Sequence, residues 1–405
     1  MNAAPDQAAR DRILHELDET LFVEAGAGSG KTTALVDRVL GLVTTGRAEL
    51  RSIAAITFTE KAGAELRDRL RRQLEEASDA ATATGNDPEV VSRCRTAIDQ
   101  LDGAAIGTLH AFAQRVLAEN PVEAGLPPRV EVLDEVNSDV EFERRWVAFR
   151  DHLFADPELE RTILLLLASG VKPDALRVLA IEFDRNWDLV EERVPDDAPE
   201  PPQAASVMAD GFAALDDAVA LLTHCIDPGD KLALRLGEIE AYARQLRLVD
   251  DELDLIEALQ GIGLIPLPKF TAGNIGKRDS WGCDKAEVVG AIRAAGEALD
   301  DGRRAVSTAC AERVAVALRR FTLQAAAERR AAGRLMFHDL LVLSRSLVRD
   351  PVHGAAVRER LGSRYTHLLL DEFQDTDPIQ AELAVRIAAA LPTSPEAGTA
   401  IWSEV

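Results

Sequence analysis

The sequence predicts an α/β protein whose parallel β-sheet is built from two separate parts of the chain, with a large, mainly helical domain inserted between them. Short apolar runs alternate with amphipathic helical patterns in residues 1–119, and the alternation returns in residues 331–405. Residues 120–330 instead carry long windows rich in Ala, Leu, Glu and Arg. Because alternating strands and helices form parallel sheets covered on both faces, the two outer parts are expected to make one domain.

Length and composition place the chain among globular proteins of two or three domains. It has 405 residues, of which 47% are hydrophobic and 28% are charged, as is ordinary for this class. No stretch approaches the roughly 18 apolar residues of a membrane-spanning helix, and the N-terminus lacks the regions of a signal peptide. The four cysteines form no Cys-x-x-Cys pair, which indicates reduced thiols and a cytoplasmic protein.

The net charge of -23 argues against a protein that coats nucleic acid through bulk electrostatics. A local basic channel is compatible with this charge, since phosphate contacts act within about one Debye length, roughly 10 Å. Any interaction with nucleic acid must therefore be argued from individual segments.

The individual elements follow in a regular order. Residues 7–20 carry a helical pattern that leads into a strand at Leu21–Val23, and Thr32–Leu42 repeats apolar residues at helical spacing. Ser52–Thr59 and Ala104–Thr108 are typical of short buried strands, each followed by a helix. Those helices and the last predicted strand are Glu60–Glu76, His110–Glu119 and His367–Leu370.

A glycine-rich loop lies between the predicted strand at Leu21–Val23 and the helix after it. Its residues Glu24–Thr33 fit the pattern [Ala/Gly]-x-x-x-x-Gly-Lys-[Ser/Thr]. Glycines let backbone N–H groups converge on phosphate oxygens, and the following helix adds its positive N-terminal end. Lys31 is predicted to reach the β- and γ-phosphates, and the Thr32 hydroxyl to bind Mg²⁺. The predicted nucleotide-binding residues of the loop are Ala25, Gly26, Ala27, Gly28, Ser29, Gly30, Lys31, Thr32 and Thr33.

Two acidic residues, Asp371 and Glu372, directly follow the predicted strand His367–Leu370. The carboxyl end of a strand is where ligands bind in open α/β sheets. Asp371 is predicted to hold Mg²⁺, largely through its waters, and Glu372 to orient and deprotonate an attacking water. Alone, the acidic pair would be interpreted as a solvated loop. The alternative for the glycine-rich segment, a chance turn before a lysine, is disfavoured by the predicted strand before it and the amphipathic helix after it. Together, the glycine-rich segment and the acidic pair predict binding and hydrolysis of a nucleoside triphosphate.

Four segments, in the same order, give this chain a resemblance to the superfamily 1 helicases of the UvrD/RecB/AddA type. Asp371–Gln380 resembles their motif II, Ala55–Arg67 motif Ia and Ile106–Phe112 motif Ib. Met336–Leu341 is similar to the Phe-Asp-Asp-Leu-Leu element that precedes motif II. The resemblance implies a RecA-like P-loop NTPase fold with ATP and Mg²⁺ as ligands. Gln7 lies where the family places a glutamine that reads adenine.

The resemblance also implies an activity, an ATP-dependent 3′–5′ DNA helicase in repair and recombination, and residue roles. Glu372, Lys31 and Gln374 would be catalytic. A single strand, or a single-strand/duplex junction, would cross Thr57, Phe58, Thr59, Thr108 and His110. Hydroxyls and amides suit phosphates, and Phe58 suits base stacking. Phe58 could instead belong to the core, and His110 could simply pack at its helix start. The basic and aromatic loop Lys269–Trp281 is a further candidate for contact with duplex DNA.

Nothing after residue 380 resembles motif III of the family, and no second motor domain is visible. We therefore expect the N-terminal portion of such a helicase, either truncated or completed by a further polypeptide. An ATP- and DNA-binding protein without motor activity of its own is the alternative. A P-loop kinase or transport ATPase is disfavoured by Gln374-Asp375 and by the resemblance to motifs Ia and Ib.

Overall fold

The computed structural model describes residues 7–26, 28–84, 87–373 and 378–388. The chain divides into two compact units. The first, here called the sheet unit, comprises Met1–Asp134 and Arg329–Val405, and the second, the helical unit, comprises Glu135–Glu328. The sequence predicts these limits at residues 119/120 and 330/331.

The sheet unit contains, within the described residues, three parallel strands in the order β2-β1-β5. They are β1 (Ile53–Thr57), β2 (Ala105–Thr108) and β5 (His367–Leu370). A separate two-stranded parallel sheet pairs β3 (Glu131–Val132) with β4 (Arg334–Leu335). The mixed α/β class with a parallel sheet is thus confirmed, and residues 53 and 367 pair although they lie in the two separated parts of the chain.

Helices surround this sheet. Those that precede the helical unit are α1 (Gln7–His15), α2 (Lys31–Thr44), α3 (Glu60–Thr84), α4 (Pro88–Gln100) and α5 (Leu109–Glu119). Those that follow it are α15 (Phe337–Arg349), α16 (Gly354–Arg364) and α17 (Pro378–Ala388). Short 3₁₀ helices occur in the chain at Leu50–Ser52, Leu101–Gly103, Leu221–His224 and Arg278–Ser280.

The core of the sheet unit follows from the alternation of side chains along β1. Ile53 and Ala55 pack in one cluster with apolar residues of α2, α3 and α4. Ala54 and Ile56 point to the opposite face, where α5 contacts β1 and α15 packs against α5, α16 and α17. β1 is buried along its whole length, whereas the residues of β5 are only half-buried.

One close approach fixes the distance between α3 and β2. A Cβ atom at Gly63 of α3 would lie 2.9 Å from the Cα of Gly107 in β2. Any larger residue at position 63 would push the helix away from the strand.

The strand predicted at Leu21–Val23 is wrong. Residues 20–26 have no regular secondary structure, and Phe22 and Val23 are 84% and 46% exposed. The apolar run has only three residues between Thr20 and Glu24, and it pairs with neither outer strand in the described part of the sheet. An extended segment without a partner leaves its backbone groups to water, so apolar character alone did not make a strand here.

The helical unit has its own hydrophobic core. Phe142, Trp146, Phe149 and Phe321 form a cluster of rings, with the Phe149 and Phe321 centroids 4.5 Å apart. The helices of this unit are α6 (Glu135–Ala155), α7 (Glu160–Ala168), α8 (Pro173–Arg185), α9 (Trp187–Arg193), α10 (Ala204–Val207), α11 (Ala209–Ala220), α12 (Lys231–Leu246), α13 (Glu252–Gln260) and the greater part of α14 (Lys285–Ala332).

Two aromatic residues of the loop Lys269–Trp281 pack within the helical unit, while its basic residues Lys269, Lys277 and Arg278 are exposed. Trp281 is buried, and its Nε1 lies 3.4 Å from a carboxylate oxygen of Asp230. The Phe270 ring meets Tyr242 edge-on at 6.2 Å. Trp281 is therefore part of the core, the half-buried Phe270 packs against that core, and contact of this loop with duplex DNA stays a prediction.

All four cysteines lie in the described part of the chain as free thiols, in agreement with the sequence. Burial raises the pKa of the Cys310 thiol to about 11, so this group stays protonated at neutral pH. None of the helices in the described ranges combines the length and the apolar character that crossing a membrane requires.

Candidate nucleotide and DNA sites

The glycine-rich loop forms a turn that only glycine accommodates easily. Gly28 and Gly30 have φ angles of +76° and +91°, the left-handed region that other residues rarely adopt. Ser29 closes the turn, since its Oγ donates to the Gly26 carbonyl at 2.7 Å. Gly30 is also the N-cap of α2, so the first N–H groups of this helix have no intrahelical partner. Ala27, another predicted contact, lies outside the described residues.

Two arginines that the sequence did not single out join α1 to this loop and to α2. Arg10 of α1 donates from Nη2 to the Ser29 carbonyl at 2.8 Å. Arg38 of α2 donates to the Ile13 carbonyl at 2.7 Å and to the Glu19 carbonyl at 2.9 Å. Burial lowers the pKa of Arg38. Because the acceptors are backbone carbonyls, no side-chain pattern in the sequence could have indicated these contacts.

Gln7, the predicted adenine-reading residue, is the first residue of α1. Its side chain is exposed, and its Nε2 donates to the Asp11 carboxylate at 2.9 Å. Arg10, one turn further on, contacts the loop itself. α1 therefore lies beside the phosphate loop, and reading of adenine by Gln7 stays a prediction.

The structure brings the loop and the acidic pair together. Lys31 Nζ lies 3.1 Å from Glu372 Oε2, with side chains 26% and 38% exposed, although 341 residues separate them. Asp371 N donates to the Ile56 carbonyl at 2.8 Å, which extends the pairing of β5 with β1. Glu372 has a φ angle of 53°, unusual for a residue other than glycine. Strained backbone of this kind concentrates at functional sites.

The local electrostatics suit a cation. Burial, followed by the neighbouring charge of Glu372, raises the pKa of the Asp371 carboxyl, and a bound cation would relieve both effects. Thr32, the other predicted ligand, is half-buried and directly follows Lys31. The described residues contain no group of three His, Cys, Asp or Glu side chains that would hold a metal ion by themselves. Mg²⁺ usually keeps several waters and takes further ligands from substrate phosphates, so one carboxylate and one hydroxyl would be enough protein ligands. The roles of Asp371 and Thr32 as those ligands stay a prediction.

The predicted DNA-contacting threonines are engaged within the protein. The Thr59 hydroxyl accepts from Ala62 N at 3.1 Å and caps α3, while the buried Thr57 donates to the Thr59 carbonyl. Thr108 is buried as well. Its hydroxyl accepts from Ala111 N to cap α5, and it donates to Glu60 at 2.7 Å. These hydroxyls therefore place the N-termini of α3 and α5.

Aromatic residues beside these helix ends are more accessible. Phe58 is 55% exposed at the end of β1, so the alternative that placed it in the core is wrong. His110 makes an edge-on ring contact at 5.8 Å with Phe337, which is itself 56% exposed. The sequence indicates Phe337 only as part of the element Met336–Leu341, and it gives no signal of the solvent-exposed position that this residue takes at the start of α15.

A buried ion pair fixes the start of α15. Arg329 Nε lies 2.8 Å from Asp339 Oδ2, and the two side chains are 1% and 3% exposed. The same carboxylate oxygen accepts from Met336 N at 2.9 Å, in front of the helix. Asp339 thus satisfies a helix N-terminus and a buried guanidinium together, and it orients the turn that carries Phe337.

Comparison with known protein families gives the family of this chain. The model of the UvrD/REP helicase N-terminal domain matches residues 6–205 and 291–393, well over half of the chain. The chain belongs to the UvrD/REP helicase N-terminal domain family. This confirms the predicted resemblance. Both matched parts include predicted nucleotide residues, Lys31 in the first and Glu372 in the second. Gln374, the third predicted catalytic residue, lies outside the described residues.

Named relatives of this UvrD/REP-type chain are much longer proteins. An ATP-dependent helicase/nuclease subunit of Ligilactobacillus salivarius is 23% identical over 430 residues, which cover 95% of this chain and 33% of the relative. The corresponding protein of Pediococcus pentosaceus is 26% identical over 181 residues, 43% of this chain and 14% of the relative. The DNA helicase II of Haemophilus influenzae is 36% identical over 125 residues, 31% of this chain and 14% of the relative. The chain thus spans a third or less of the curated relatives it matches.

Proposed function

We propose that this chain is the ATP-binding motor portion of a 3′–5′ DNA helicase of the UvrD/RecB/AddA type. The observation that carries the proposal is the contact between Lys31 and Glu372. It joins a phosphate-binding loop to an acidic pair at the carboxyl end of a parallel strand, where ligands of such sheets bind. The membership of the chain in the UvrD/REP helicase N-terminal domain family supports the same function.

In this proposal the residues divide the work of ATP hydrolysis. The N–H groups of the loop and of the first turn of α2 hold the phosphate oxygens, and Lys31 binds the β- and γ-phosphates. Glu372 then leaves Lys31 and holds the attacking water, from which it takes a proton at a carboxylate oxygen. Thr32 and Asp371 would hold Mg²⁺, which when bound neutralises charge on the phosphates.

Single-stranded DNA is the second proposed ligand. Phe58 and Phe337 provide exposed rings for base stacking, with the half-buried His110 in edge-on contact with Phe337, and such stacking tolerates any sequence. The N-termini of α3 and α5, placed by Thr59 and Thr108, offer backbone N–H groups to the phosphates. The threonines therefore act, in this proposal, mainly through the helix ends that they position.

A complete motor would need a second nucleotide-contacting domain. Arginines supplied from such a domain typically raise phosphoryl-transfer rates by about 10³–10⁵. We propose that this domain belongs to the same protein or to a partner polypeptide, because several relatives carry the name of one component of a multi-component helicase/nuclease. A DNA end or junction would then be the substrate of the assembly.

The test is steady-state ATPase activity of the 405-residue chain, with and without single-stranded DNA, with mant-ATP binding followed in the same samples. The proposal expects nucleotide binding that requires Mg²⁺ and a slow turnover that rises when DNA is added, because the assay lacks the rate contribution of a second domain. Binding of both ligands with no turnover would favour the alternative function, a component that binds ATP and DNA without motor activity of its own. Failure to bind mant-ATP would refute the proposal.

A further inference from the structure

A cavity of about 700 Å³ lies in the sheet unit, away from the loop and the acidic pair. One wall is the face of α5 that carries Gln114 and Leu117. The segment Pro121–Glu131 forms a second wall, and the junction of α14 with β4 and α15, with Arg334 and Leu340, forms the third. No step of the proposed ATP chemistry uses this cavity.

The cavity is held in shape by its own surroundings. Arg330 donates to the Ala124 carbonyl at 2.7 Å, and Arg360 donates to the Asn120 side chain at 2.6 Å. Glu131 N donates to the Gly333 carbonyl at 2.7 Å. A Cβ atom at Gly333 would lie 2.5 Å from both the Arg129 carbonyl and a ring carbon of Pro127. The segment is therefore fixed at several points, and a ligand would meet a preformed site.

The cavity lies close to the ring contact between His110 and Phe337. Gln114 follows His110 by four residues on α5, and Leu340 follows Phe337 by three residues on α15. Residues three or four apart share one face of a helix, about 5–6 Å apart. Both helices thus lead from the contact between His110 and Phe337 directly to the cavity wall, about one helical turn away.

The lining suits a nucleotide. The apolar surface for a base comes from Pro127 and Pro128, since Leu117 and Leu340 are almost fully buried. The exposed Gln114 offers an amide to a base edge. Arg129 is exposed at the rim, and Arg334 pairs with Glu131 at 3.3 Å. The Glu131 carboxylate offsets one of the two guanidinium charges, which leaves the lining with a net positive charge that favours an anionic ligand.

We propose that this cavity binds a nucleotide of the single strand, one step beyond the His110 and Phe337 rings, with its base inside and its phosphate at Arg129 and Arg334. The inference rests on the proposed binding of single-stranded DNA. It adds a binding site on the sheet unit that does not touch ATP. Its occupancy lengthens the stretch of strand that the unit holds.

The experiment measures binding of fluorescent oligo-dT of increasing length to the 405-residue chain by anisotropy. Arg129→Ala is compared with Arg95→Ala, an exposed arginine on α4. We expect Arg129→Ala to weaken binding of long oligonucleotides about three- to tenfold and to leave binding of the shortest ones unaffected. The slope of the logarithm of the binding constant against the logarithm of the salt concentration should fall by the equivalent of about one phosphate contact. Gln114→Ala is expected to weaken the same long oligonucleotides less.

Other outcomes separate the two proposals. If Arg129→Ala matches Arg95→Ala at every length while Phe58→Ala weakens binding, DNA binding stands and the cavity is not part of it. A loss that is equal for short and long oligonucleotides also contradicts a site one step beyond the rings. If the unchanged chain binds no oligonucleotide, both proposals fail together.

Discussion

The residues predicted to bind the nucleotide, here called the nucleotide side of the sheet unit, differ from those predicted to bind DNA, its DNA side, in the burial and bonding of their polar groups. On the nucleotide side, Lys31 and Glu372 are partly exposed and bind each other, so a ligand can replace each partner. On the DNA side, the hydroxyls of Thr57 and Thr108 are buried and already bonded within the protein. The motifs thus indicate the residues, and the structure shows which of their polar groups are already buried and bonded within the protein.

The largest effect is expected for Glu372→Gln. The amide cannot take a proton from water, so hydrolysis should fall by about 10²–10⁴. Nucleotide binding should persist or tighten, because Lys31 loses its charged partner. Parallel measurements of mant-ATP affinity and phosphate release check this. Equal loss of both would assign Glu372 a structural role.

The second-largest effect is expected for Lys31→Ala, on the affinity for mant-ATP. Loss of a charge-assisted hydrogen bond costs about 1.5–3 kcal/mol, so mant-ATP affinity should drop about ten- to hundredfold. Lys231→Ala, an exposed lysine of the helical unit, is the control and should bind normally. Unchanged affinity of the Lys31 variant would contradict the phosphate-binding role of the loop.

On the DNA side, Phe58→Ala and Phe337→Ala are expected to weaken oligonucleotide binding by about 1–3 kcal/mol each, the typical worth of one stacked base. Mant-ATP affinity without DNA serves as the internal control and should not change. Anisotropy titrations provide the measurement. If both variants bind DNA as the unchanged chain does, the exposed rings are not its contact surface.

Thr108→Val should act differently from the ring variants. It removes the N-cap of α5, which costs about 1 kcal/mol of stability. Thermal unfolding should show this loss, and DNA affinity measured well below the transition should change little. A large loss of DNA affinity with unchanged stability would mean that the hydroxyl contacts a phosphate directly, and the contrast between the two sides would disappear.

The smallest effect concerns pH. Burial, with a smaller contribution from Arg38, lowers the pKa of His367 at the start of β5. The folded chain favours the neutral imidazole. The contribution of His367 to the free energy of unfolding is therefore fully present above about pH 6.5 and is lost as the pH falls through the pKa of the folded state. His367→Asn should therefore lose less thermal stability than the unchanged chain between about pH 7.5 and about pH 5.5. Parallel melting curves of both chains would show this difference, and identical pH profiles would exclude His367 as its source.

The sequence predicts secondary structure and burial correctly where the local pattern and the packing of the folded chain agree. The strand His367–Leu370 has the limits that were predicted, because its apolar run is followed at once by charged residues. Leu21–Val23 carried a similar apolar signal but found no pairing edge among the described strands. Trp281 looked like a surface ring beside basic residues, yet it is buried against Asp230. Pairing and burial depend on distant parts of the chain, which a local window does not contain.

The contacts of the candidate sites also include some that the sequence predicts and some that it does not. The Lys31 and Glu372 contact was predictable, since two motifs of one chemistry must meet. Arg10 and Arg38 were not predictable, because they bind backbone carbonyls. The exposure of Phe337 depends on the buried pair Arg329 and Asp339, which holds the start of its helix and which no spacing rule relates to DNA.

The contact between Gly63 and Gly107 limits how the sheet unit can evolve. Alanine normally stabilises a helix relative to glycine by about 1 kcal/mol, so helix propensity alone would favour alanine at position 63. Here its methyl group would meet the backbone of β2 at 2.9 Å. The helix would have to shift, and with it the end that carries Thr59 and Phe58. A substitution that would stabilise the isolated helix would thus displace the surface that we propose to face the nucleic acid.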